Sequence, residues 1–141
     1  RPSHPTAPRD FMADRRLTFV ALGVSDLRRS VRFYRDVLGL PLRDADHDAE
    51  LDDPWYGGEH AAYSWTDGAF LHFALYPKRE PKRPVATGAQ IGFHVTDFDA
   101  THARVVASGA SVVSEPRDEP WGRTARYLDP DGNIVSITEP S

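Results

Sequence analysis

Two spacings of apolar residues alternate along this chain, and the points where one gives way to the other predict its elements. From Leu17 to Val24 the spacing is two, with Val20, Leu22 and Val24 on one face and Phe19, Ala21 and Gly23 on the other, the signature of a strand. Ser25 and Asp26 then offer a cap. Leu27, Val31, Tyr34 and Leu38 follow at helical spacing up to Gly39, which predicts an amphipathic helix of about three turns. Near the other end, Tyr127 to Thr138 forms two β-rich runs around Asp129, Pro130, Asp131, Gly132 and Asn133, a tight hairpin in which Val135 and Ile137 suit a buried face while Ile134, Ser136 and Thr138 point the other way.

Between these ends the pattern is less regular. Arg43 to His60 is acidic, and its alternating Asp44, Asp46, Asp48, Glu50 and Asp52 resemble a calcium loop, but Ala49 and Trp55 stand where that loop requires Gly and Glu; a solvated surface loop is expected. His60 to Tyr76 reads as a second hairpin around Asp67 and Gly68. A two-residue turn would set Trp65 opposite Phe70, Tyr63 opposite His72 and Ala61 opposite Ala74 on one surface, with Leu71, Phe73 and Leu75 on the core side. Pro77 to Pro84, with three prolines and four basic residues, reads as a solvated linker.

After that linker the grammar repeats. Ile91 to Val113 follows the order of Phe19 to Leu42: strand, a Ser/Thr-Asp-apolar cap at Ser25-Asp26-Leu27 and at Thr96-Asp97-Phe98, helix, then Gly39 and Gly109. The two aspartates are 71 residues apart, so Phe19 corresponds to Gln90. Two copies of one supersecondary unit are expected, neither able to bury its sheet alone. The division is a Pro-rich arm or leader at 1–16, a first unit at 17–76, a linker at 77–88 and a second unit at 89–139. Met12, the only methionine, is a plausible native start, and the arm is expected to be ordered only by packing on something, a neighbouring subunit being one candidate.

Composition narrows the chemistry. The chain has 141 residues, 40% of them hydrophobic, and a formal charge of -4, which fits a globular protein and argues against nucleic acid as the main partner. No apolar run is long enough for a membrane span and no signal peptide is visible. The absence of cysteine removes disulfides, thiolate metal sites and cysteine nucleophiles, and makes the cytoplasm the default compartment.

SDLRRSVRFYRDVLGL after the first strand and YLDPDGNIVSI in the last hairpin resemble the vicinal oxygen chelate superfamily, which includes glyoxalase, extradiol dioxygenases and bleomycin resistance proteins. The resemblance runs from Leu17 to Glu139. It implies an α+β fold of two βαβββ modules forming a curved mixed sheet around a cup, often completed by dimerisation. It also implies, in the metal-using members, a divalent ion held by residues on the first and last strand of each module. Those positions fall here on Phe19, near His72, on Gln90 and on Ser136. A phenyl ring has no lone pair to offer, and a neutral hydroxyl is a poor ligand for a divalent ion. His94 shares a face with Gln90 but lies four residues on, about 13 Å away at strand rise, and Glu59 and His60 point to opposite faces. No metal site and no cofactor are expected.

The cup side is expected to carry Phe19, Tyr63, Trp65, Phe70, His72, Tyr76, Gln90, His94 and Ser136, with Trp121 and Arg123 at its rim. Aromatic walls with a few polar atoms suit a flat, partly apolar ligand. The expected function is therefore metal-independent binding of a small molecule, of the antibiotic-sequestration type or as a metabolite binder, by a homodimer with no nucleic-acid or membrane partner. The alternative is an enzyme of the same superfamily, a lyase, isomerase or dioxygenase-like protein, using a relocated metal or His72 or His94 as general base. A regulatory dimer that senses a metabolite is a third reading. His4, His47 and His102 are assigned no ligand role, and the Asp-Pro-Asp-Gly-Asn residues no chemistry.

Overall fold

The computed structural model describes residues 15–47, 58–79 and 83–140. The elements run β1 (Phe19–Val24), α1 (Leu27–Val31) continued by a π-helical turn (Arg32–Val37), β2 (Arg43–His47), β3 (Gly58–Trp65), β4 (Leu71–Pro77), β5 (Gln90–His94), α2 (Phe98–Ala107), β6 (Val112–Glu119), β7 (Gly122–Leu128) and β8 (Ile134–Glu139). They form two four-stranded sheets with strand orders β1-β4-β3-β2 and β5-β8-β7-β6. In each sheet the first and last strands of the unit pair in parallel and the rest antiparallel, so the two halves share one plan. The sheets are mixed and not closed into a barrel.

Val31, Tyr34 and Leu38 are buried as the spacing predicts, but so is Phe33. The helix widens after its first turn, with the Leu38 amide donating to the Phe33 carbonyl five residues back at 2.9 Å. Asp26 caps α1 by accepting from the Arg29 amide. Asp97, at the matching place, instead takes the Thr101 hydroxyl at 3.1 Å and lies 3.8 Å from Arg104.

Three stretches differ from their sequence reading. Arg43–His47 is a strand paired with β3 where a loop was expected; the rest of the acidic run, 48–57, lies outside the described residues, as do positions 1–14 of the arm with Met12. The β3–β4 connection is longer than two residues: Trp65 pairs with Leu71, Ser64 with His72 and Tyr63 with Phe73. The linker is not a solvated connector along its whole length. Arg83 is buried, the Ala86 amide donates to the Gly23 carbonyl at 2.8 Å, and a Cβ on Gly23 would lie 2.0 Å from the Pro84 carbonyl oxygen.

The helix-facing sides of both sheets merge into one core. Phe73 and Phe93 meet edge to face at 5.5 Å, and Tyr34 lies 6.4 Å from Phe93 and 5.7 Å from Phe73. Tyr34 also donates from its hydroxyl to Asp129 Oδ2 at 2.6 Å, and Ser25 hydrogen-bonds through its amide and hydroxyl to Asp131. The last hairpin of the second module is thereby fastened to the helix of the first. Because the sheets meet through these faces, their opposite faces point away from the shared core.

Candidate binding faces

On the first sheet, the outward row at the middle of β1 is Phe19, His72 and Ser64, set side by side by the strand register. The Phe19 and His72 rings are parallel within 4° at 5.6 Å, and Phe19 is 39% exposed. Ser64 Oγ lies 2.7 Å from His72 Nδ1. That contact orients the imidazole and ties its tautomer to the role of the hydroxyl: with the hydroxyl as donor, Nε2 carries the proton, and with the hydroxyl as acceptor, Nε2 is a base. Small side chains, Ala21, Ala62 and Ala74, form the next row and leave the aromatic pair standing above the sheet.

Tyr76 shares this face but is only 3% exposed. His60 stacks on it at 4.7 Å and 16°, and the Arg83 guanidinium lies 4.8 Å from its ring centre. The end of the face is thus filled by the chain's own linker rather than open to a ligand. Tyr63 and Trp65 do not join the outward face. The longer loop turns them to the core side, where they meet edge to face at 5.2 Å; Trp65, with Val20, Leu22, Phe73, Ile91 and Phe93, lines a cleft of about 900 Å³ between β1 and β5. Phe70 falls in the loop, 49% exposed.

On the second sheet, Gln90, Gly92 and His94 are exposed along β5, with Ile134, Ser136 and Thr138 beside them on β8. Ser136 faces Gly92 rather than Gln90, so the two positions are diagonal neighbours. Trp121 stands exposed at the β6–β7 turn. Arg123 leaves the cup side altogether: it lies over the Phe98 ring at 5.3 Å and 4.0 Å from Asp99, on the helix side of β7.

The positions that would hold a divalent ion do not fit one. They carry a phenyl ring, an imidazole whose Nδ1 is engaged, an amide and a hydroxyl. Among the described residues no group of three or more His, Asp or Glu is placed to share a cation. The donor set therefore disagrees with the metal chemistry that the resemblance implies.

Sequence reasoning missed several contributors. Ser64 was hidden by the turn length assumed for β3–β4. Arg126, opposite Ser136, was within reach, since pairing Leu128 with Ile134 across the last hairpin places it there. Asn133 and Asp129 are more than turn formers. Asn133, fully buried, accepts from the Ala89 amide and donates to the Ala86 carbonyl and to Asp129 Oδ2, each at 2.9 Å, so the hairpin turn also anchors the linker. His102 keeps a role at the edge of the core, with Nδ1 2.6 Å from the Tyr127 hydroxyl.

Paired mixed sheets of four strands, built from a repeated unit, define the class. Residues 16–137 match the Glyoxalase/Bleomycin resistance protein/Dioxygenase superfamily, and the chain belongs to that family. It is 51% identical over 107 residues, 76% of its length, to the anthracycline biosynthesis protein DnrV of Streptomyces peucetius, and spans 35% of that protein. It is 32% identical over 130 residues to the lactoylglutathione lyase of Haemophilus influenzae, covering 84% of this chain and 87% of the enzyme. Among solved structures, TnmS3, an antibiotic binding protein from Streptomyces sp. CB03234, superposes with a TM-score of 0.63 at 28% identity over 90% of this chain and 97% of that one. No helix among the described residues is long and apolar enough to cross a membrane.

Proposed function

We propose that this protein binds a small, flat, partly apolar molecule without a metal, holding it as a sequestration protein or metabolite binder does. The observation that carries this reading is the parallel Phe19–His72 pair braced by Ser64, which offers a stacking surface where related catalysts place metal ligands. The likeness to an antibiotic binding protein and to an anthracycline biosynthesis protein supports a polycyclic aromatic ligand. The two outward faces point away from the shared core, so one chain does not bring them together; a second copy, docking face to face, completes the cup as a homodimer. The lack of cysteine fits the reducing cytoplasm.

Thermal shift and calorimetry on the purified chain test this. A planar aromatic such as an anthraquinone or anthracycline is expected to raise Tm, Phe19→Ala to weaken its binding by roughly tenfold, the value of one stacking contact of about 1 kcal/mol or somewhat more, and zinc, manganese or iron(II) to leave Tm unchanged. Stabilisation by metal and not by any aromatic compound would overturn the reading. Weakening by Trp65→Ala in place of Phe19→Ala would move the ligand to the cleft between β1 and β5.

The Ser64–His72 contact also favours a second reading, in which His72 Nε2 takes a proton from a bound substrate, as a family that contains lactoylglutathione lyase allows. Turnover that rises with pH through the imidazole range and vanishes in His72→Ala, with binding retained, would establish it.

A further inference from the structure

We infer that the outward face of the second sheet is an anion pole, with Arg126 anchoring a carboxylate or phenolate of the flat ligand; this rests on the binding reading above and specifies the ligand's chemistry. The register sets Gly92, Ser136, Arg126 and Ser114 in one row across β5, β8, β7 and β6. A Cβ on Gly92 would lie 2.7 Å from Ser136 Oγ, so the missing side chain is what leaves the hydroxyl room over β5. In the adjoining row Thr124 and Thr138 satisfy each other at 3.1 Å. The charged groups on this face are Arg117, Glu119 and Arg126, while β5 and β8 contribute no acid to it. Glu119 Oε1 is 3.2 Å from Arg117 Nε and 3.8 Å from Arg126, one carboxylate between two guanidinium groups and nearer the first. The Arg126 side chain is 31% exposed, and beyond this 3.8 Å ion pair its guanidinium makes no hydrogen bond among the described residues. Partial cover weakens the screening of its charge by solvent, and its planar fork can grip a carboxylate through two parallel bonds.

Position 136 sets this polarity. A carboxylate there, as the superfamily's metal enzymes carry, would stand directly opposite Arg126, about 5 Å away between Cβ atoms, and would take its charge. Serine instead leaves the guanidinium available and adds a donor beside it. The same substitution that removes a metal ligand therefore turns a cation-seeking strip into an anion-seeking one.

The experiment is calorimetric titration of the full chain at pH 7.5 and low salt with anthraquinone-2-carboxylate and with its neutral counterpart 2-(hydroxymethyl)anthraquinone. Wild type is expected to prefer the carboxylate by roughly tenfold or more, the effect of a charge-assisted pair. Arg126→Ala and Ser136→Glu are each expected to erase that preference while keeping affinity for the neutral probe; Ser136→Glu does so without removing the guanidinium, which guards against a folding defect in Arg126→Ala. Equal binding of both probes by wild type, or a preference that survives in both variants, overturns the anion pole and leaves the binding reading standing. Binding of neither probe overturns both.

Discussion

Tyr34 shows how much one side chain carries in this molecule. Its ring sits between the two sheets, and its hydroxyl donates to Asp129, a carboxylate that also receives the Asp131 and Asn133 amides at 2.8 Å. Tyr34→Phe is expected to lower unfolding free energy by about 1 to 3 kcal/mol, because a charge-assisted bond is lost and a buried carboxylate keeps fewer donors; urea denaturation measures it. Burial, together with the Asp129 and Asp131 charges, raises the Tyr34 phenol well above its ordinary range, and burial with the nearby Glu115 pushes Tyr127 up to about 12. The folded chain holds both protons to higher pH than the unfolded chain. The stability they contribute is thus complete below the ordinary value of 10.0 and drains away as pH climbs past it, for Tyr127 through about 12. Stability measured from pH 8 to 11.5 should fall, and fall less steeply in Tyr34→Phe; an unchanged slope in that variant would refute the assignment.

Among the elements, the linker is where packing overrode composition. Its prolines and basic residues read as solvated, yet Pro84 lies against Gly23 and Arg83 covers Tyr76. Gly23→Ala would force a methyl group against the Pro84 carbonyl and is expected to cost about 1 to 3 kcal/mol by overpacking; the Ala86 amide, which bonds to Gly23, should then exchange its hydrogen faster. The strands and helices were legible because periodicity encodes them: β1, β5, β8 and both helix starts stand where the apolar spacing places them. The width of the turn after α1 was not legible, since a short run of five-residue hydrogen bonds leaves no mark on spacing. Nor was the β3–β4 register, because Asp67-Gly68 is compatible with turns of several lengths, and each added residue exchanges the faces of a strand. That single slip moved Tyr63 and Trp65 into the core and hid Ser64. The side chains at Phe19 and Ser136 needed no geometry to be read, because they depend on residue identity alone.

At the scale of the whole molecule, the two modules are similar in plan and unlike in surface. One turns outward an aromatic ring pair, the other a guanidinium, a hydroxyl and an amide. A homodimer in which face meets face would hold two equivalent cups, each with one wall from either chain. Such a cup can be repaired by mixing. Chains carrying Phe19→Ala and chains carrying Arg126→Ala would each form crippled pairs, but a hybrid of the two would have both lesions in one hollow and none in the other. Unfolding the variants together and refolding them should therefore return a fraction of the wild-type capacity for anthraquinone-2-carboxylate that neither shows alone, whereas a cup belonging to a single chain would never recover.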